Sequence, residues 1–243
     1  MTRFSRRAFI AGGVTLTAAS AGCLSGGEET AEPTEAGGGG ETTTEAGGGG
    51  EMTAEPTESG SIAETTPPSG EQSLPTPVAG DPDADVTVAV YEDYACPHCA
   101  TYSVEVFPQL ASEYLEPGTI RYEFHDFPIP VAEPTSWRAA NAAREAQDRG
   151  GDPTFWEYEK LLFENQTRLG PDTFAGIASE LDLDGEAVRE AAVNEKHTNT
   201  VQADRNMGQN MGVEGTPTVF VDGTAVRPTV EAIGNAIEQA RSD

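Results

Sequence analysis

The feature that most constrains this chain is Cys96-Pro97-His98-Cys99, a dithiol set between an alternating apolar run and a helical pattern. Val86-Thr87-Val88-Ala89-Val90-Tyr91 reads as a strand, and Tyr102, Val106 and Leu110 recur at helical spacing. The two cysteines therefore stand at a strand-to-helix junction. A helix N-terminus presents unpaired backbone N–H groups and the positive end of the peptide dipoles, and both stabilise a thiolate. The thiolate is the nucleophile of disulfide exchange. The spacing predicts Cys96, at the helix start, as an exposed attacking sulfur. Cys99, one turn in, is its partly buried resolving partner.

Composition divides the 243 residues into three. Residues 1–23 carry three Arg and no acid, whereas residues 24–80 carry eleven Glu and neither Lys nor Arg. Of the 41 acids and 14 bases in the chain, 30 and 11 remain for residues 81–243, a net charge of −19. That length can bury an ordinary single core. Charge of this sign repels phosphate, so no nucleic acid is expected as a partner, and the folded part is not drawn to an anionic membrane surface. Only two lysines occur, Lys160 and Lys196. Abundant acid with scarce Lys resembles the proteins of extreme halophiles. At molar salt the screening length falls to about 3 Å, which makes such self-repulsion tolerable. An ordinary acidic secreted protein is the alternative reading.

Ser5-Arg6-Arg7-Ala8-Phe9-Ile10 resembles a twin-arginine export signature, and an apolar run from Ala8 to about Ala21 follows it. At about 14 residues the run is shorter than the ~20 of a comfortable membrane span and reads as a cleavable signal. It ends in Ser20-Ala21-Gly22-Cys23, which resembles a lipobox except that Ser20 stands where Leu is usual. Lipidation of Cys23 would explain the odd third cysteine; plain cleavage leaving a free thiol is the alternative. In residues 24–80, Thr34-Glu35-Ala36-Gly37-Gly38-Gly39-Gly40-Glu41 returns at 44–51 and Ala31-Glu32-Pro33-Thr34-Glu35 at 54–58. With almost nothing to bury, the segment reads as a disordered acidic tether of roughly 40 Å mean span.

Residues 81–243 are expected to form the folded domain. After the Cys-x-x-Cys helix, which must bend at Pro108, residues 120–124 alternate as a second strand. Ala139, Ala142, Ala143 and Ala146 mark a helix stopped by Gly150-Gly151, and Asp152-Pro153 caps the next, which carries Phe155, Tyr158 and Leu162. Phe174, Ile177, Ala178 and Leu181 give another, and a further helix runs from about Gly185 to Asn210 with an interruption near Thr198. Strand pattern then resumes as a hairpin, Val219-Phe220-Val221 and Thr224-Ala225-Val226 around Asp222-Gly223, before a closing helix through Ile233, Ala236, Ile237 and Ala240. The order predicts an α/β fold with a helical insertion at about 132–212.

Tyr91-Glu92-Asp93-Tyr94-Ala95-Cys96-Pro97-His98-Cys99, Asp126-Phe127-Pro128, Phe155-Trp156-Glu157, Leu162-Phe163 and Gly215-Thr216-Pro217-Thr218 occur in order. Over about residues 84–240 the chain resembles the DsbA-like thioredoxin-fold oxidoreductases. The resemblance implies a thioredoxin fold in which Cys96 enters the mixed disulfide and Cys99 resolves it. It also implies that Pro97 and His98 make Cys96 acidic and its disulfide oxidising, His98 by a donor or partial positive charge near the sulfur. Thr216 and a cis Pro217 would dock the client backbone as an added strand. The implied activity is disulfide formation in exported proteins at the cell surface, with cysteine-bearing clients, a separate redox partner for reoxidation, a lipid membrane held through the N-terminus, and no cofactor. A reductase or isomerase of the same fold, or a non-catalytic binding or chaperone lipoprotein, are the alternatives.

One departure stands out. The family's buried acid six residues before the first cysteine is Val90 here. Glu92 and Asp93 lie nearer the motif, and Asp93 is read as a turn or cap residue. A zinc site is disfavoured, because beyond the cysteine pair only His125 and His197 remain as ligands, and both read as ordinary polar residues. Asn165-Gln166-Thr167 fits a glycosylation acceptor and nothing more.

Overall fold

The computed structural model describes residues 73–242. The export signature, Cys23 and nearly all of the tether lie outside them. Within them the β-branched alternation of 86–91 becomes the middle of a five-stranded sheet. Its strands are β1 (Val78–Gly80), β2 (Val86–Glu92), β3 (Ile120–Asp126), β4 (Thr218–Val221) and β5 (Thr224–Val226), in the order β1-β3-β2-β4-β5. β2 and β3 pair in parallel and the other neighbours are antiparallel. The β4–β5 turn is Asp222-Gly223, both with positive φ (45° and 77°), as an Asp-Gly hairpin requires.

Side chains alternate across this sheet. Val86, Val88 and Val90 of β2, Ile120, Tyr122 and Phe124 of β3, and Val219 and Val221 of β4 share the main core with Leu110, Tyr114, Ile233 and Ile237. The last two belong to the closing helix. On the other face Tyr91, Phe127, Val213 and Phe220 form a smaller cluster, with His125 stacked on Tyr91 at 4.7 Å.

The helix that follows the dithiol begins as α1 (Pro97–Thr101), opens into a π turn at Tyr102–Val106, resumes as α2 (Phe107–Leu110) and ends in a second π turn at Ala111–Leu115. Phe107 N–H reaches back five residues to Tyr102 O. The ladder has therefore widened just before Pro108, the residue that cannot donate to it.

The insertion comprises α3 (Thr135–Glu164), α4 (Pro171–Glu180), α5 (Gly185–Val193) and α6 (Thr198–Asn210), and α7 (Val230–Ala240) closes the chain. The stop read at Gly150-Gly151 is a kink within α3, where Gly151 has φ 72° and ψ −173°. Two expectations need correction. The folded domain begins before residue 81, its expected start after the tether: Val78–Gly80 is edge strand β1, and Leu74 N–H donates to Thr200 Oγ1 at 3.0 Å. Asp152 was read as a helix cap, but its carboxylate accepts from Val78 N–H and from Gln147 Nε2, each at 3.0 Å. An edge-strand N–H aimed at the insertion needs an acceptor, and Asp152 supplies it.

A charged knot fastens the insertion to the sheet. Arg144 of α3 is fully buried, with Nε 2.6 Å from Asp126 Oδ2 at the end of β3 and Nη2 2.6 Å from Asp204 Oδ2 on α6. Its Nη1 donates to Gln147 Oε1 at 2.9 Å, and the guanidinium lies 5.3 Å from the Phe155 ring centroid.

Candidate active site

Cys96 takes the N-cap position of α1 in extended backbone (φ −80°, ψ 119°), with Pro97 opening the helix where a missing N–H costs nothing. The loop before it is shaped by Asp93, whose Oδ1 accepts from Ala95 N–H and Oδ2 from Ile129 N–H, each at 2.8 Å. Asp93 is thus a turn residue, as its position suggested. Cys96 O accepts from Cys99 N–H at 3.0 Å and Ala100 N–H at 3.2 Å, which closes the first helical turn.

The peptide between Thr216 and Pro217 is cis, and Cys96 Sγ lies 3.4 Å from Thr216 O. The fold therefore brings Thr216-Pro217, 120 residues away in sequence, against the dithiol. In the thiol form Cys96 donates to that carbonyl. Once ionised it has no proton to give and becomes an acceptor. Donation by the Cys99 thiol then holds the Cys96 thiol down at about 4 against the cost of burial; Thr216 and the N–H groups of Cys99 and His98 assist. Thr216 Oγ1 is buried and has no hydrogen-bond partner among the described residues, which leaves its proton free to turn to the ionised sulfur. His98 offers Cys96 its backbone N–H, while the residue itself is exposed, as is Pro97.

Cys96 was expected to be exposed, but it is only 4% accessible. The Thr216 carbonyl covers it on one side, and Gln166 Nε2 bridges Tyr94 O and Cys96 O, each at 2.8 Å. Gln166 sits in the short 3-10 turn Gln166–Arg168 after α3. Nothing in its sequence neighbourhood pointed to the dithiol.

Cys99 is fully buried and its thiol is pushed far up, by burial first, then by the hydrogen bond it gives Cys96 and by the nearby Glu92 carboxyl. Asp93 N–H points at its sulfur at 3.5 Å. Glu92, the final residue of β2, is 2% exposed, and Ser103 Oγ donates to its Oε2 at 3.1 Å. Burial, and then the neighbouring Glu159, raise the Glu92 carboxyl well above the ordinary range. Burial also pushes Glu159, on α3, up to about 8. Sequence reasoning left open which acid serves Cys99. The signal was present: Glu92 continues the inward phase of Val86, Val88 and Val90, so an acid occupies a core position. Glu159 likewise falls on the buried helix face of Phe155, Leu162 and Phe163.

His125 and His197 belong elsewhere. His125 Nδ1 lies 3.3 Å from Asp204 Oδ1 and its Nε2 3.6 Å from Glu123 Oε2. His197 Nε2 lies 2.7 Å from Glu145 Oε2, which also binds Lys196 Nζ at 2.6 Å.

Residues 72–239 match the family model described as thioredoxin. The chain is 28% identical over 161 residues to disulfide bond formation protein D of Bacillus subtilis, covering 62% of this chain and 69% of that protein. It is 32% identical over 165 residues to the Na(+)/H(+) antiporter NhaA 1 of Salinispora arenicola, covering 67% of this chain but only 24% of the antiporter. Among solved structures, oxidised BdbD from Bacillus subtilis aligns with a TM-score of 0.65 at 26% identity, covering 69% of this chain and 94% of that one. DsbA of Chlamydia trachomatis shares the fold, with a TM-score of 0.62 at 20% identity over 72% of this chain and 98% of that one.

Proposed function

The chain belongs to the thioredoxin family, and on that premise we propose that it is a thiol–disulfide oxidoreductase that forms disulfides in exported proteins through Cys96 and Cys99. The observation that carries this reading is the asymmetry of the two sulfurs. One is held ionised at a helix N-cap beside Thr216-Pro217, and the other is buried and held as a thiol. A stable Cys96 thiolate is a good leaving group and favours the reduced protein, so the disulfide is a strong oxidant.

In the forward reaction a client thiolate, its backbone lying along Thr216-Pro217, attacks Cys96 Sγ. The Cys96–Cys99 bond breaks, its electron pair goes to Cys99 Sγ, and that sulfur takes a proton from Glu92. A second client thiolate then attacks the client sulfur of the mixed disulfide. The client leaves oxidised and Cys96 leaves as the thiolate. Two electrons now reside on the dithiol, and a separate membrane or small-molecule oxidant must remove them.

The relatives named for disulfide bond formation support this direction. The twin-arginine-like signature and the lipobox-like Ser20-Ala21-Gly22-Cys23 support export and anchoring at the cell surface through a lipid on Cys23. Cys23→Ala would then release the mature protein into the soluble fraction.

Equilibration against glutathione buffers tests the central claim. The expected potential is well above the roughly −270 mV of thioredoxin; a value at or below it would make the protein a reductase. Wild type should oxidise a reduced, unfolded client and Cys96→Ala should not. Equal effects of the two proteins would favour a binding lipoprotein.

A further inference from the structure

Cys99 and Glu92 are both sealed from water, so the proton that Glu92 gives Cys99 needs a route by which it is replaced from solvent. Glu92 is 2% exposed and Cys99 is wholly buried. On the far side of Glu92, however, Ser103 Oγ donates to Oε2 at 3.1 Å. Glu159 approaches the same hydroxyl from α3, and Ser103 holds its carboxyl lower than burial alone would. Ser103 and Glu159 both line a groove of about 260 Å³ between the π turn and α3, walled by Val104, Phe107, Trp156 and Phe163. Ser103 belongs to the π turn Tyr102–Val106, so the widened ladder that accommodates Pro108 also carries the hydroxyl that joins the two acids.

We propose that Ser103 and Glu159 form the proton path of Cys99, leading from its sulfur through Glu92 to the groove between the dithiol helix and α3. The path rests on the assignment of Cys99 as the resolving sulfur. When the Cys96–Cys99 bond breaks, Cys99 takes the Glu92 proton, Glu92 takes that of Ser103, Ser103 takes that of Glu159, and Glu159 takes one from water. Net, one proton passes from solvent to Cys99, and the same chain runs backwards when the dithiol is reoxidised. The bond from Ser103 to Glu92 already points in the donating direction. Glu159 is a positioning residue, since it acts on the sulfur through two others.

Burial raises the Glu159 carboxyl, and Ser103 and Lys160 oppose it. The other titratable groups near it are Glu92 from β2, Tyr94 from the loop before Cys96, Tyr102 from the π turn, Tyr122 from β3, and Glu164 on α3. Its carboxyl, pushed up to about 8, can both hold and release a proton near neutral pH.

The test is stopped-flow reduction of the oxidised full-length protein by a cysteine peptide from pH 6 to 10, in wild type, Glu159→Gln, Ser103→Ala and Glu159→Ala. Expressed per peptide thiolate, so that the peptide's own titration is removed, the wild-type rate should fall with an inflection near 8. Both Glu159→Gln and Ser103→Ala should slow the reaction by tenfold or more and abolish the inflection. Acetate, small enough for the groove, should restore Glu159→Ala and leave wild type unchanged. A slowed Glu159→Gln that keeps the inflection, or a Glu159→Ala that acetate does not restore, means a packing role and overturns the path. So does a variant with the wild-type profile. Carbon-13 titration of the Glu159 carboxyl separates this failure from failure of the parent reading. Its midpoint should move between the dithiol and disulfide forms and cease to move in Ser103→Ala, whether or not any client is oxidised.

Discussion

At the scale of single residues, the chemistry turns on where one proton sits. Cys96 is the N-cap of α1 and receives hydrogen bonds that only an anion can fully use, whereas Cys99 is walled off from water. Alkylation of the reduced protein by iodoacetamide should therefore show an inflection near pH 4, and Thr216→Val, which removes one donor, should move it up. A folded thiol held below its unfolded value of 9 contributes stability that is present above pH 9 and lost as pH falls through about 4. The denaturant midpoint of the reduced protein, relative to the oxidised one, should thus rise across that window. An unchanged gap would contradict the ionised sulfur. The identity of Cys96 was legible because a nucleophile at a helix start leaves a local mark. Gln166 was not, since its amide reaches Tyr94 and Cys96 across about 70 residues of chain. Glu92 lay between these cases: strand phase placed it inward, but what waited there depended on the helix above.

At the scale of elements, a buried cation and a close helix approach are prominent among the ties between the insertion and the sheet. Arg144 of α3 joins β3 to α6 through Asp126 and Asp204. Arg144→Ala would strand two buried carboxylates and should cost about 3–5 kcal/mol in urea unfolding. Replacing the whole trio with apolar residues should cost far less. Gly208 lets α6 approach the opposite face, since an added Cβ would sit 2.8 Å from the Phe127 ring and 2.9 Å from that of Tyr91. Gly208→Ala should cost about 1–3 kcal/mol by overpacking, read as a lower thermal midpoint. Most helices and strands were visible in their periodicity. β1 was hidden because three residues, Val78–Gly80, are too few to show alternation and adjoin a low-complexity stretch. The cap assigned to Asp152 failed for a related reason: a carboxylate before a helix accepts from the nearest unpaired N–H, and here that donor comes from another element.

At the scale of the whole molecule, the net charge of −27 and the buried ionisable groups govern the response to salt and pH. Repulsion among so many acids falls with screening, so the thermal midpoint should rise from 0.1 M to molar KCl. Glu159, raised from 4.5 to about 8, contributes stability present below pH 4.5 and lost as pH rises through 8. His125, raised from 6.5 to about 9, contributes stability present below 6.5 and lost through 9. Glu145, lowered from 4.5 to about 2 by His197, Lys196 and Arg149 against its burial, loses its contribution as pH falls to 2. The oxidised protein should therefore be most stable near pH 4.5 and weaken from there toward pH 9, and Glu159→Gln should flatten that decline. The dithiol and the order of strands and helices were readable from the residues alone, because these depend on side-chain period and on neighbours in the chain. It took the packed chain to show that the Thr216 carbonyl lies against Cys96, that Ser103 donates to Glu92, and that Arg144 is wholly enclosed. Those facts depend on which surfaces press together and exclude water, and no local pattern of residues encodes the partner on the other side.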